Sequence, residues 1–306
     1  MDIQALFEKM VVLFTILFAG FFCGKAGIMD VESNKSLSRL VANLTNPMLV
    51  LASVMTDERL LSPAEVLQVT LLAAGCYAFL IASSLLLPRL LHLGPRERGP
   101  YRFFYIFSNI GFMGYPLVRA MFGDGAMFHL TIFVLFFQLV CWSYGAQTIS
   151  GEGRFRLSWR ILKTPCVLSA LLAYAIYLSG VHVPRIVADV VKTTGEITSP
   201  LAMLILGCAL SQCSLRDVFG RPKLYLLALV KLIVVPLAAF FVLRTFIKDP
   251  LLLSLTTVVL AMPAATNATI LTYQNHGDDR LAASGVFLTT LLSVASVPGL
   301  MLLLFG

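Results

Sequence analysis

Charged side chains are scarce in this sequence. Of its 306 residues only 13% are charged, whereas 58% are hydrophobic; 16 residues are acidic and 23 are basic. Soluble domains usually carry about 25% charged residues. So few charges could not cover the surface of a soluble protein of this length. The composition therefore excludes an ordinary soluble protein and indicates an outer surface that faces lipid.

Residue patterns that support catalysis or metal binding are also lacking. The six cysteines lie in or beside apolar runs, and the nearest pair, Cys208 and Cys213, has neither CxxC nor zinc spacing. We interpret them as small buried side chains. His129 stands alone, which favours a structural or interfacial position over a metal or proton site. No nucleophile–base pair, phosphate-binding loop or zinc-helix motif occurs. We therefore predict no enzyme activity, cofactor, metal site or ATP coupling.

Ten long apolar runs are present. A bilayer core of about 30 Å needs about 20 apolar residues per helix. The first run has neither a basic leading segment nor a cleavage site, so we interpret it as a span rather than a signal peptide. The sequence predicts an all-α integral membrane protein with ten transmembrane helices, numbered as spans 1 to 10: 5–24, 37–55, 64–88, 101–122, 127–149, 161–180, 188–211, 223–246, 251–274 and 280–304.

Loop charges predict the orientation. The loops after the odd-numbered spans hold 15 Lys and Arg residues, against seven on the opposite side. Because positive loops face the cytoplasm, both termini are expected outside, extracellular or periplasmic, in a plasma (inner) membrane. The net charge of +7 is therefore explained by topology rather than by nucleic-acid binding.

The chain divides into two halves. A polar loop at 150–160 separates five spans in residues 1–149 from five in residues 161–306. An odd number of spans per half gives the halves opposite orientations, as in transporters built from inverted repeats. The halves also share prolines inside corresponding spans: Pro47 and Pro200 in spans 2 and 7, and Pro116 and Pro263 in spans 4 and 9.

Spans 4 and 9 have small and polar residues around their prolines. Each proline could produce a plain kink. The repeated pattern favours discontinuous helices, whose half-helix N-termini present N–H groups that suit a carboxylate. The predicted substrate site takes residues from the proline-bearing spans and Gln138 from span 5: Asn46, Asn109, Gly111, Tyr115, Pro116, Gln138, Ser199, Pro263, Thr266 and Asn267.

Three charged residues are candidates for ion or charge coupling. Glu196 is either an intramembrane proton site or a membrane-edge acid paired with Lys192, four residues earlier. Lys231 either extends to the interface or compensates the charge of a substrate. Arg119 either attracts anions or caps the end of span 4.

Three stretches carry a family resemblance: SNIGFMGYPLVRAMFG at 108–123, FFQLVCW at 136–142 and AMPAATNATILTYQNHGDDRLAASGVFLTTLLS at 261–293. They resemble the auxin efflux carrier family, which includes plant PIN proteins and bacterial organic-anion permeases. The resemblance extends over nearly the whole chain. The short loop at 150–160 makes the bacterial permeases the nearer comparison.

The resemblance implies a fold like that of bile-acid carriers and sodium–proton antiporters, with spans 4 and 9 crossing at Pro116 and Pro263. Spans 1, 2, 6 and 7 would form a scaffold, and spans 3–5 and 8–10 a transport unit that moves as an elevator. Asn109 matches the family asparagine before the first crossing, and Asn267 follows the second. The scaffold also allows a homodimer.

The expected function is secondary transport of a small mono- or dicarboxylate such as malate or malonate. The alternatives are a sodium-coupled organic-anion symporter, an exporter of an auxin-like aromatic acid, and a ligand-sensing receptor or channel. The expected partners are the carboxylate and the lipid bilayer, with no nucleic acid.

Overall fold

The structure, a computed structural model, describes residues 3–55, 61–150, 164–181, 183–212, 219–274 and 278–305. Within these ranges the regular secondary structure is helical throughout, in agreement with the all-α prediction. Several residues of the predicted loops, and most of the 150–160 connection, lie outside the described residues: Arg59, Arg154, Arg156, Arg160, Lys163, His182, Cys213, Arg216 and His276.

Six helices in the described ranges are long and apolar enough to cross a membrane. They are Phe7–Lys25, Pro63–Ser84, Asp124–Ile149, Arg185–Ser211, Pro222–Leu243 and Arg280–Phe305. Two shorter apolar helices are Pro165–Ser179 and Pro250–Ala261. The number of apolar helices is therefore that of a multi-pass membrane protein.

The individual helices are numbered here in chain order. In the first half they are α1 Ile3–Lys25, α2 Val31–Leu40, α3 Asn46–Ala52, α4 Pro63–Ser84, α5 Leu87–Leu90, α6 Pro95–Ile106, α7 Tyr115–Phe122, α8 Met127–Val140 and α9 Ala146–Ser150. In the second half they are α10 Pro165–Ser179, α11 Arg185–Glu196, α12 Thr198–Ser211, α13 Pro222–Leu229, α14 Val235–Leu243, α15 Pro250–Ala261, α16 Asn267–Gln274 and α17 Asp279–Phe305.

One wide, π-helical turn, Cys141–Gly145, has no proline beside it, but the others in the described ranges precede prolines inside the apolar runs. These other turns occupy Val41–Thr45, Ile110–Gly114 and Val230–Val234. Each ends two residues before a proline: Pro47, Pro116 and Pro236. A proline ring clashes with the carbonyl four residues earlier, which in all three cases lies within the wide turn. The turn relieves this clash and lets the chain continue as a helix.

Polar side chains cap the helix starts outside the apolar runs. Ser62 and Glu65 form a capping box at α4, and Asp249 accepts from the backbone N–H of Leu251 at α15. At α2, hydrogen bonds from the side chain and backbone of Ser33 lower the pKa of Asp30 below its ordinary value. These caps set the ends of the helices that hold the site described below.

Helices α1 and α12 pack with their backbones in contact. A Cβ atom on Gly207 would overlap the backbone carbonyl of Leu17, and one on Gly20 would overlap that of Leu204. Small residues at such crossings let membrane helices approach closely. The pair therefore forms a rigid contact between the first half and the second.

We expect Gly207→Ala to destabilise the protein, because the added methyl group forces α1 away from α12. Overpacking typically costs about 1–3 kcal/mol, and a clash with backbone should reach the upper part of that range. Thermal unfolding of the detergent-solubilised protein measures the effect. Gly75→Ala in α4 is the control, since no atom of another described element lies within 4 Å of its added Cβ. Equal melting temperatures for the two variants would contradict the prediction.

Candidate functional site

The helical structure is interrupted twice, and the two interruptions pair with each other. The first lies between Ile106 and Ile110, and the second between Ala261 and Asn267. The N–H of Asn109 donates to the carbonyl oxygen of Pro263 at 2.7 Å, and the N–H of Ala265 donates to Phe107 at 2.9 Å. Buried backbone groups that lose their helical partners at the interruptions thus hydrogen-bond to one another, as an apolar environment requires.

Two side chains from other helices support this pairing. Thr289 of α17 accepts from the N–H of Ala264 at 3.1 Å. Lys231 lies in the wide turn after α13, and its ammonium donates to the carbonyl of Tyr105 at 3.0 Å and to the hydroxyl of Ser108 at 2.9 Å. The carbonyl belongs to the C-terminal end of α6, where a positive charge is favourable.

The interpretation of Lys231 as a side chain that extends to the interface is wrong. Its side chain is buried, with 1% of the residue exposed, and its two acceptors lie on the interrupted span. No rule of local spacing predicts these two partners of Lys231, because they are more than 120 positions away in the chain.

This burial has a chemical consequence. We expect Lys231 to resist an amine-reactive reagent that labels Lys192, which lies exposed on α11. Peptide mapping by mass spectrometry measures both modifications in one sample. Equal labelling of the two lysines in the folded protein would contradict the buried position.

A pocket lies beside the paired interruptions, with an empty volume of about 550 Å³. It is bounded by α2, α3, α8, α10, α12, α16 and the wide turns. Four predicted site residues line it, namely Asn46, Gln138, Thr266 and Asn267. The prediction missed the other lining residues, which are Ser38, Val41, Ala42, Phe112, Trp142, Cys166, Ala202, Ile205 and Thr269.

Two polar atoms of the pocket lack a partner in the described part of the chain. These are the Oδ1 of Asn46 and the hydroxyl of Thr266. The indole N–H of Trp142 donates to Oε1 of Gln138 at 2.9 Å, which fixes the orientation of that amide. None of the described lining residues is charged. The pocket therefore offers neutral hydrogen-bonding groups between apolar walls.

Six predicted site residues do not line the pocket. Asn109 and Pro263 pair through their backbones, Gly111 lies in the wide turn before α7, and Pro116 lies in the first turn of α7. Ser199 is buried in the first turn of α12. The amide nitrogen of Asn109 has no partner among the described residues, although only 1% of the residue is exposed.

Tyr115 belongs to a hydrogen-bonded chain instead. Its hydroxyl lies 3.0 Å from that of Thr131, which in turn lies 2.5 Å from the hydroxyl of Ser53. These hydrogen bonds connect the end of α3 to α7 and α8. Tyr115 therefore makes a structural contact and does not line the pocket.

The remaining charged candidates form an ion-pair cluster. Arg119 pairs with Asp124 at 2.5 Å and with Glu196 at 3.5 Å. The predicted pairing of Glu196 with Lys192 is wrong, because α11 presents Glu196 to the end of α7. The cluster is partly exposed, and it connects an element of the first half to one of the second.

The geometry describes a helical membrane protein with a neutral pocket beside two interrupted helices. A family profile described as "Membrane transport protein" matches residues 5–157 and 153–301. The chain therefore belongs to the membrane transport protein family, and the resemblance to auxin efflux carriers is confirmed. The protein is a membrane transporter.

The individual relatives are distant, and two of them cover nearly the whole chain. An uncharacterized transporter of Methanothermobacter thermautotrophicus is 25% identical over 95% of this chain and 96% of its own. One from Methanocaldococcus jannaschii is 24% identical over 94% and 95%. A protein named "Putative malonate transporter" from Rhizobium meliloti is 22% identical over 65% of this chain and 64% of its own.

Proposed function

We propose that the protein is a secondary transporter for a small organic anion, which binds in the pocket beside the paired interruptions. The observation that carries this proposal is the pocket lining, where unpartnered polar atoms meet the start of α16 at Asn267. Helix N-termini present N–H groups and a partial positive charge to an anion. The amides of Asn46 and Gln138 supply further neutral groups at the same place.

The uncharged lining favours a substrate with one carboxylate. A second carboxylate would be buried without a cation among the described lining residues, which is costly in an apolar site. The apolar walls, which include Phe112 and Trp142, suit a substrate whose remaining atoms are uncharged. The relative named for malonate supports a dicarboxylate as the second candidate.

The pattern of helix contacts supports two inverted five-helix repeats, 1–149 and 161–306, joined by 150–160. An inverted repeat relates each span to the one five positions later. The contact of α1 with α12 joins spans 1 and 7, and its counterpart joins spans 6 and 2 through α10 and α3. Likewise α4 contacts α8 in the first half, and α13 contacts α17 in the second.

The pocket has walls from two groups of helices, which supports alternating access by an elevator. Ser38, Asn46, Cys166 and Ala202 belong to spans 2, 6 and 7, the expected scaffold. The expected transport unit contributes Phe112 from span 4 and polar residues from spans 5 and 9. Movement of one group past the other would carry the bound anion across the membrane.

Contacts between the same groups close the end of the bundle where α4 and α8 begin. The rings of Phe128 and Tyr177 stack with centroids 3.5 Å apart, and Tyr174 bonds Thr70 at 2.7 Å. Tyr177 also accepts from the N–H of Leu61. In the expected orientation, with both termini outside, this closed end is extracellular or periplasmic, which supports a state open toward the cytoplasm.

Uptake by purified protein in liposomes tests the function. We expect saturable uptake of radiolabelled pyruvate that exceeds uptake of malonate. We also expect at least tenfold less uptake for Asn46→Ala, because that change removes from the pocket an amide whose Oδ1 has no partner among the described residues, although its Nδ2 donates to Cys166. Asn43→Ala, whose side chain bonds Arg39 away from the pocket, is the control.

The substrates and ions in this assay separate the alternatives. If malonate uptake exceeds pyruvate uptake, the substrate is a dicarboxylate, which is the second candidate. Uptake without saturation would indicate a channel, and uptake that stops when choline replaces sodium would indicate a sodium symporter. Absence of uptake of any carboxylate under any gradient would contradict the proposal.

A further inference from the structure

Two amide side chains line the anion pocket, and their neighbours hold them in opposite orientations. Gln138 lies on α8, and Asn46 is the first residue of α3. Both residues are buried, with 2% of Gln138 and 3% of Asn46 exposed. A neutral amide has a donor end and an acceptor end. The contacts that occupy one end therefore determine which end a ligand can use.

Trp142 determines the orientation of the Gln138 amide. An indole N–H can only donate, and that of Trp142 donates to Oε1 of Gln138 at 2.9 Å. The acceptor end of Gln138 is thus occupied, and Nε2 with its two N–H groups is the end left for a ligand. Because a carboxylate only accepts hydrogen bonds, this donor end suits the substrate carboxylate.

Cys166 gives the Asn46 amide the opposite orientation. A thiol has one hydrogen, and that of Cys166 donates to the carbonyl oxygen of Ala42 at 3.2 Å. The sulfur is then left to accept, and it accepts from Nδ2 of Asn46 at 3.4 Å. The Oδ1 of Asn46 has no hydrogen-bond partner in the described part of the chain. A buried carbonyl oxygen normally has a donor, so a donor is missing here.

A carboxylate cannot supply the donor that Oδ1 of Asn46 lacks. The other unpartnered atom of the lining, the hydroxyl oxygen of Thr266, can donate to a carboxylate, whereas Oδ1 can only accept. The donor must therefore come from a second group on the substrate. An ammonium group would bring a positive charge to a lining that has no carboxylate among its described residues, which is costly. A hydroxyl group donates without a charge.

We propose that the transported anion is a small hydroxy monocarboxylate, whose carboxylate accepts from Nε2 of Gln138 and whose hydroxyl donates to Oδ1 of Asn46. This inference rests on the proposed transport function and narrows its substrate class. Cys166 is a positioning residue, because its sulfur keeps the donor end of Asn46 occupied and leaves the acceptor end for the substrate. The hydroxyl then distinguishes the substrate from other monocarboxylates of the same size.

Uptake of four matched acids by the purified protein in liposomes tests the proposal. Lactate, propionate, pyruvate and alanine share one carbon skeleton and carry a hydroxyl, a hydrogen, a ketone and an ammonium group at the second carbon. We expect the preferred enantiomer of lactate to have a KM at least tenfold below that of each other acid, because lactate alone gives Asn46 a neutral donor. A site that hydrogen-bonds a substrate hydroxyl discriminates strongly against an analogue that lacks it.

The preference for lactate over propionate, measured as the ratio of their KM values, is also the measurement for two variants. Asn46→Ala should bring this ratio close to one, whatever its effect on absolute uptake. Cys166→Ala keeps the Asn46 amide but lets it rotate, so it should lower the preference at least threefold. Cys208→Ala is the matched control, because Cys208 is also buried and donates to a backbone carbonyl, that of Met29, outside the pocket. It should keep the native ratio.

The outcomes separate this inference from the proposed transport function. Saturable uptake of lactate and propionate with equal KM would overturn the hydroxyl contact and leave the transport function standing. The lowest KM for alanine, or an unchanged ratio in Asn46→Ala, would also overturn it. Absence of uptake of all four acids would contradict both proposals. If Asn46→Ala elutes as an aggregate in size-exclusion chromatography, the comparison of Cys166→Ala with Cys208→Ala decides, and equal ratios in these two would overturn the inference.

Discussion

Asn267→Asp is expected to reduce carboxylate uptake about a thousandfold. Asn267 lies at the start of α16 and lines the anion pocket, where the described lining holds no cation. A carboxylate introduced there would repel the substrate carboxylate. At about 4 Å and an effective dielectric constant of about 20, the repulsion is about 4 kcal/mol. That energy corresponds to roughly a thousandfold loss of affinity.

The side chains of asparagine and aspartate have nearly the same shape, so the change isolates charge. An acid in the first turn is also favourable for the helix, and the fold should be retained. Asn43→Asp is the control, because Asn43 is exposed and does not line the pocket. Initial uptake rates at several substrate concentrations give the loss for each variant relative to the native protein.

The same variant predicts a pH dependence. Protonation removes the charge of the new carboxyl group and with it the repulsion of the bound anion. Lower pH therefore neutralises it, and uptake relative to the native protein should increase as the pH falls. Near-native uptake at every pH would show that Asn267 does not face the substrate.

The locations of the helices could be predicted from the sequence, but the locations of the interruptions could be predicted only in part. Pro263 lies within the second interruption itself. Pro116 marks a wide turn, whereas the interruption of its span lies at 107–109, several residues earlier. The chain breaks there because Asn109 and Phe107 find backbone partners on the second interrupted span. A proline indicates which span is interrupted, whereas the backbone segment that pairs with that span determines the residue at which its helix breaks.

Charged side chains were predicted less well, because local spacing suggested the wrong partners. Lys192 lies one helical turn before Glu196, yet Glu196 pairs with Arg119 from another helix. Lys231 lies about a third of the way into span 8, yet its acceptors come from an interrupted helix far away in the chain. Partners supplied by tertiary packing leave no periodic signal in one sequence.

The pocket lining shows the same limit for apolar residues. Asn46, Gln138, Thr266 and Asn267 could be predicted because polar residues in apolar runs are conspicuous. Phe112 and Trp142 were missed, since aromatic residues in an apolar run usually belong to the core. One local signal was available for Trp142, which lies four residues after Gln138 and therefore on the same helix face.

A disulfide between Ser53→Cys and Thr131→Cys is expected to abolish uptake completely. The two native hydroxyl oxygens lie 2.5 Å apart, so cysteine sulfurs at these positions are within bonding reach. Ser53 follows α3 in the expected scaffold, and Thr131 lies on α8 in the expected transport unit. A covalent bond between them would hold the two groups in the present state, whereas transport requires them to separate.

The redox state of the double variant provides the measurement. Uptake should be lost after treatment with an oxidant and recovered after a reductant. The single variants, and the native protein with its own six cysteines, should be unaffected by the same treatment. Mass spectrometry confirms that the bond has formed. If the fully crosslinked protein still transports the anion at the native rate, α3 and α8 do not move apart during transport, and the elevator proposal is wrong at this interface.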